Sequence, residues 1–339
     1  MKRLPLPDLL KGFAVFLIVP VHVLELFIDY PGRESLFGKT VLFLGGPVAV
    51  PVFMIVMGYF IARNNKTLTQ NLIRGLKVFV LGFLLNIGLN FHLLVKIKFA
   101  GWQINPWEYI WGVDILYLAG LSIIFLSFLK PVTTNRGLIS LVLVLLVTGI
   151  TGFLNKELMA TERNYILPFI AGTYSWSYFP LFPWLAYSLA GFAFYHFEEK
   201  IMRFFNRQKG ISAIILTGIT VLIFVFSKWG FKTTVYLPAY YHHTFLLSLW
   251  VLGIVILWSS FLRFVIQKIP ENPVVAFFQW LGKNITLFYV IQWLLIGNIA
   301  TAIYQTQSIN RYIFWFAGIF SATVFLTRLL EKTNIKLAR

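Results

Sequence analysis

Residues 8–28 read DLLKGFAVFLIVPVHVLELFI, and this stretch decides what kind of protein the chain is. It is about as long as an α-helix must be to cross the ~30 Å hydrocarbon core of a bilayer. Yet it carries four ionisable side chains, Asp8, Lys11, His22 and Glu25. At ~100° per residue these four fall within an arc of about 100° on one face of a helix. Lys11 and His22 are separated by about three turns and ~16 Å of rise. One stripe of the helix is therefore polar from the membrane edge to its deeper part, and the rest is apolar. Ionisable groups inside a span are costly, so they point to function. Pro20 lies two residues before His22 and cannot donate its backbone hydrogen bond. It is expected to kink the helix and open room for water or substrate. A carboxylate, Glu25, follows the apolar run, and no small-residue cleavage site appears. The stretch is expected to be retained as a helix rather than removed as a signal peptide.

The rest of the chain agrees. Of its 339 residues 58% are hydrophobic and only 12% are charged, and the mean hydropathy is +0.78. A soluble protein carries about twice that charge fraction. The expected fold class is all-α, a polytopic integral membrane protein of about ten transmembrane helices, with residues 1–339 forming a single domain. The segments long enough to span are 8–28, 40–62, 73–95, 112–129, 138–154, 179–197, 211–227, 244–262, 284–303 and 312–328. With the N-terminus in the cytosol, the inner loops and ends collect most of the 29 basic residues. Lys2, Arg3, Lys66, Lys130, Arg203, Lys336 and Arg339 are among them. This bias puts both termini in the cytosol. The net charge of +17 is then topology and contact with the anionic lipid of a bilayer, and nucleic acid is not an expected partner. The chain has no cysteine, so disulfides, thiolate nucleophiles and cysteine metal sites are excluded.

Outside the spans, stretches 96–111, 155–178 and 228–243 are rich in aromatic residues. They suit an interfacial belt, or a lid or sugar-stacking surface over a site that opens outward. Residues 270–283, PENPVVAFFQWLGK, read as a short amphipathic helix in the interface, started by Pro273 and ended near Gly282. Among the loops and span ends, Arg63 and Lys66 close one helix, while Arg74 and Lys77 open the next at a spacing that points both heads one way. Such a cluster suits the phosphates of a nucleotide-type molecule, and positive-inside topology explains it equally well. Lys283 and Asn284 stand at an inner helix entrance. Gly58 is placed to let a neighbouring helix approach closely. Asp114 reads as a helix cap or an interface-level carboxylate. Trp184 lies where an outer loop re-enters a span, and His242 and His243 open another. Adjacent histidines point apart on a helix, and no HExxH pattern occurs, so a metal site is not expected.

In combination these residues resemble the membrane acyltransferase superfamily, which includes acyltransferase-3 type O-acetylases and heparan-alpha-glucosaminide N-acetyltransferase-like proteins. The acyltransferase-3 first helix carries an aspartate, an Arg-Gly pair and then a histidine. Here Asp8, Lys11-Gly12 and His22 stand at that spacing. Met57-Gly58-Tyr59-Phe60 is similar to the turn that ends the next hairpin, and Arg74 and Lys77 to the basic pair that follows it. YFPLFPWLAYSLAG (178–191) and LGKNITLFYVIQ (281–292) look more like the glucosaminide branch. The departures are Lys11 for arginine, Ile285 and Thr286 for Ser-Leu, and Gln292 where many relatives carry a second histidine.

The resemblance implies acetyl-CoA or another acyl-CoA as cytosolic donor substrate, with no metal. It implies an acceptor reached from the outer side, a glycan or other small extracytoplasmic molecule. In this reading His22 takes a proton from the acceptor or transiently carries the acyl group, and Glu25 orients its imidazole. Lys11 and Asp8 place the donor. Arg63, Arg74, Lys77, Lys283 and Asn284 hold its phosphates, and Asp114, Trp184, His242 and His243 face the acceptor. A bacterial cytoplasmic membrane is the expected location, and a homodimer is one assembly it allows. Two other classes share a polar stripe in a membrane. One is a transporter or flippase of an amphipathic or lipid-linked substrate; the other is a non-catalytic sensor of the same fold.

Overall fold

The computed structural model describes residues 4–132, 134–159, 164–269 and 272–333; Lys2, Arg3, Lys336 and Arg339 lie outside them. The protein is an all-α polytopic membrane protein. Among the described residues the only extended pairing is two isolated bridges, Ile28 with Gln307 and Val113 with Ser177. In chain order the helices are α1 (Pro5–Phe27), α2 (Tyr30–Glu34), α3 (Leu36–Arg63), α4 (Leu68–Leu89), α5 (Phe91–Phe99), α6 (Pro106–Ile110), α7 (Ile115–Leu129) and α8 (Arg136–Glu157). They continue as α9 (Leu181–Arg207), α10 (Lys209–Val225), α11 (Ser227–Val235), α12 (Leu237–Tyr241), α13 (Phe245–Lys268), α14 (Pro273–Lys283), α15 (Ile285–Ile303) and α16 (Tyr312–Glu331).

Every expected span is represented by a helix, but not every helix is a span by length and composition. Seven are long and apolar enough alone; α9 and α10 qualify only as a pair bent by 108°, which makes eight if the pair is one span. Helix α7 is apolar but only 15 residues long. Large apolar side chains stand exposed along these helices, such as Phe224 at 78% and Phe314 at 76%. In water such surface would drive association; against lipid it is the ordinary exterior.

The chain forms two compact units. One takes in the chain up to Ala49, Leu81–Gly112 and the chain from Leu262 on; the other comprises Val50–Val80 and Val113–Phe261.

In the first unit α1 is the core element. It stays helical through Pro20, whose carbonyl accepts from the Tyr312 hydroxyl of α16 at 3.2 Å. Helix α14, expected to lie in the membrane interface, is packed on the N-terminal half of α1. The reason is a reciprocal pair of glycines. A Cβ on Gly12 would lie 1.8 Å from the Phe278 carbonyl oxygen, and one on Gly282 would lie 1.8 Å from that of Asp8. Phe13 and Phe278 stack beside this crossing at 3.9 Å. The expected span 73–95 breaks at Asn90, between α4 and α5. There Asn298 of α15 donates to the Gly88 carbonyl at 2.9 Å and accepts from the His92 amide at 2.9 Å. The far end of α1 is tied by the turn after α15. Gln305, in the left-handed region at φ 53°, gives its amide to Leu26 O at 2.9 Å and its side-chain amide to Glu25 O at 3.1 Å. Gln307 N donates to Phe27 O at 2.9 Å. Carbonyls that would end α1 unpaired are thereby satisfied.

In the second unit the close approach expected at Gly58 is found, and its neighbour is α9. A Cβ there would meet Ser188 O at 1.9 Å, while one on Gly191 would meet Ile55 O at 1.9 Å. Gly75 of α4 and Gly120 of α7 make a similar crossing.

Candidate active site

His22 is set in the most apolar part of α1, where Val19, Val23 and Leu24 are fully buried. The histidine itself is 7% exposed. Two neighbouring residues of α15 hold its ring. The Gln292 carboxamide nitrogen lies 3.1 Å from Nδ1, and Trp293 covers a face of the ring with centroids 4.0 Å apart and planes 34° apart. The other ring nitrogen, Nε2, has no hydrogen-bond partner among the described residues. Gln292 is thus a group that meets the imidazole. Glu25 follows three residues later on α1, turned by about 60° around the helix axis. Its backbone carbonyl is engaged by Gln305.

Asp8 and Lys11 come together as the spacing suggests, with Lys11 Nζ 3.0 Å from Asp8 Oδ1. Asp8 is buried beneath Gly282. Their pair lies at the opposite end of α1 from His22, ~16 Å along the axis by helical rise. Lys283 is exposed at the end of α14. Asn284 is drawn instead to the last helix: its side-chain amide donates to Glu331 at 2.9 Å, beside the Trp280 indole N–H at 2.8 Å. That clasp fixes the α14–α15 corner.

In the second unit Arg63 closes α3, and Arg74 and Lys77 lie on α4. Lys77 is exposed. Arg74 is half-buried, with its Nε buried and unpartnered. The turn between these helices is secured by a residue the sequence did not single out for this role. Lys130 donates to the Asn64 carbonyl, to Asn64 Oδ1 at 2.8 Å and to Lys66 O at 3.2 Å. A cation at the carbonyl end of α3 is favourable for the helix dipole.

Asp114 caps α7, accepting from the Ile115 amide at 2.6 Å. Trp184 is fully buried, and its indole N–H donates to Tyr241 O at 2.8 Å. His243 is also buried, between the Tyr187 hydroxyl at 2.8 Å and the Tyr240 carbonyl at 2.7 Å. Asn155 donates to the His242 carbonyl at 2.8 Å. These contacts knit the aromatic turn ahead of α13. Burial lowers both imidazoles from 6.5 to about 4, an effect the Tyr240 carbonyl partly opposes at His243. Between those two values the unfolded chain binds protons that the folded chain does not. Stability must therefore fall as pH falls through that window. The thermal midpoint in detergent is expected to drop from pH 7 to pH 5, and His243→Gln should drop less. A wild-type midpoint flat over that range would contradict the burial of these rings.

A family model described as an acyltransferase domain matches residues 5–331, nearly the whole chain. No curated protein and no solved structure matches the chain.

Proposed function

The chain belongs to the acyltransferase-3 family, and on that premise we propose that it moves an acyl group from an acyl-CoA on the cytosolic side to an extracytoplasmic acceptor. The acyl group is acetyl in the simplest case. The acceptor offers a hydroxyl or amine, as a sugar or cell-envelope glycan does, and the membrane is the bacterial cytoplasmic one. That the protein is a multi-pass membrane acyltransferase follows from the family and the helices; donor, acceptor and location are the content of the proposal.

The observation that carries it is the state of His22. Its ring is buried in apolar helices and held on an edge and a face, yet Nε2 has no partner among the described residues. A positioned imidazole with one nitrogen to spare is suited to proton transfer. As the acceptor oxygen or nitrogen attacks the thioester carbonyl carbon, its proton passes to Nε2. The new C–O or C–N bond forms, the C–S bond breaks, and the departing thiolate takes the proton from the ring. At the other end of the first unit Lys11 is paired with Asp8, and exposed Lys283 supplies a cation. In the second unit, half-buried Arg74 has a buried donor without a partner and suits a phosphate oxygen.

The test is turnover by the purified protein in vesicles, with labelled acetyl-CoA and sugar acceptors. Release of free thiol matched by acylated acceptor is expected. Accumulation of acceptor or donor inside vesicles without thioester cleavage would overturn the proposal in favour of a carrier. Arg74→Ala is expected to weaken acyl-CoA binding about 10-fold or more, the loss typical of a hydrogen bond to a charged group. An unchanged dissociation constant by titration would remove Arg74 from donor binding.

A further inference from the structure

Gln292 is fully buried on α15, and a carboxamide buried in apolar surroundings is costly unless it is hydrogen-bonded. The structure sets its nitrogen 3.1 Å from His22 Nδ1 and leaves its Oε1 buried with no partner. A side chain so placed contributes little to helix packing that leucine would not provide better. Its distinguishing contact is with the imidazole.

The two ends of a carboxamide are nearly the same size, so a half-turn about its last torsion exchanges them without moving the neighbours. The choice sets the tautomer of His22. With the NH2 group toward Nδ1, that nitrogen must be bare. A neutral ring then carries its proton on Nε2 and cannot accept another there. With Oε1 toward Nδ1, the ring carries its proton on Nδ1 and presents a lone pair at Nε2. Only this second arrangement also survives when Nε2 gains a proton, because the cation then donates from both nitrogens. Trp293, tilted over the ring, hinders the rotation that would exchange the two nitrogens.

We propose that Gln292 is a positioning residue: its carboxamide oxygen holds the proton of His22 on Nδ1 and so leaves Nε2 as the base. The catalytic part of this inference rests on His22 being the base of acyl transfer; the tautomer does not. The role is that of the third group in a nucleophile–base–orienter arrangement, filled here by a neutral amide.

The test combines the nitrogen-15 spectrum of histidine-labelled protein in nanodiscs at pH 8 with kinetics. The His22 resonances are identified by their loss in His22→Ala. A protonated Nδ1 and a bare Nε2 are expected in the wild type. Gln292→Leu, of similar bulk but unable to accept, is expected to shift these resonances toward a tautomer mixture. It should lower kcat about 10- to 100-fold while KM for acyl-CoA stays within about 2-fold. Gln292→Glu, still an acceptor, should keep the proton on Nδ1 and kcat within about 3-fold of the wild type. A resting His22 protonated on Nε2 would overturn the assignment, as would wild-type kcat in Gln292→Leu. Should the wild type transfer no acyl group at all, the proposed function would fail, while the spectrum would still decide the Gln292 assignment. If Gln292→Leu does not fold, the wild-type and Gln292→Glu spectra decide it.

Discussion

His22→Ala is expected to reduce acyl transfer by about 10²- to 10⁴-fold, the usual worth of a positioned acid–base group. The protein should remain folded. The ring makes one side-chain hydrogen bond, to Gln292, and one tilted ring contact, to Trp293. Its removal leaves a small cavity and one more unpaired buried amide, a loss of about 1–3 kcal/mol. In a protein with this much buried apolar surface, such a loss lowers the melting temperature without preventing assembly. His22→Gln serves as the companion variant, since it fills more of the space and keeps a hydrogen-bonding end but cannot cycle a proton near neutral pH. Both variants should elute as the wild type on size exclusion, bind acyl-CoA, and fail to release thiol in the presence of acceptor. Turnover within a few-fold of wild type in either variant would remove His22 from the chemistry. Acylated His22 recovered by mass spectrometry without acceptor would change the route to a covalent one and leave the residue's importance intact.

What could be read from the sequence was what local pattern encodes. Each apolar run became a helix, because a chain in hydrocarbon must satisfy its backbone internally. Asp8 and Lys11 pair because they are one helical turn apart. His22 was legible as an ionisable group at membrane depth, and the glycine at 58 as a point of close approach. Gln292 and Trp293 were not legible as its partners. They lie some 270 positions along the chain, and nothing in the periodicity of α15 distinguishes a residue facing His22 from one facing lipid. The partner of helix α14 was not legible for the same reason. Its moment describes an apolar face but not what covers it, and the covering surface is α1 at Gly12. Trp184 and His243 drew attention as polar-tipped rings at a span entrance. Their polar atoms turn out to be taken by Tyr241, Tyr240 and Tyr187, a long-range arrangement that composition cannot express.

Gly282→Ala is expected to unseat α14 from α1 and to cost at least the 1–3 kcal/mol typical of overpacking. The added carbon would sit 1.8 Å from Asp8 O and 2.9 Å from Gly12 N. Both obstacles are backbone, so no rotamer change can relieve them, and the two helices must separate. Separation loses the close contacts that small residues permit between membrane helices. It also disturbs the Phe13–Phe278 stack and the segment of α1 that bears Asp8 and Lys11. The contrasting variant is Gly218→Ala on α10, where an added Cβ meets nothing within 4 Å. That change should be neutral or slightly stabilising, since alanine favours helix by up to ~1 kcal/mol over glycine. Thermal unfolding of detergent-purified protein separates the cases, and a Gly282→Ala midpoint equal to that of Gly218→Ala would refute the crossing. The pair offers a sharper check. Gly12→Ala would meet Phe278 O at 1.8 Å across the same crossing, so the helices separated by one substitution already have room for the other. The double variant should therefore lose less than the sum of the singles, by about 0.5 kcal/mol or more, as residues that share one contact do. Strict additivity would mean that the two glycines do not report on a single backbone approach.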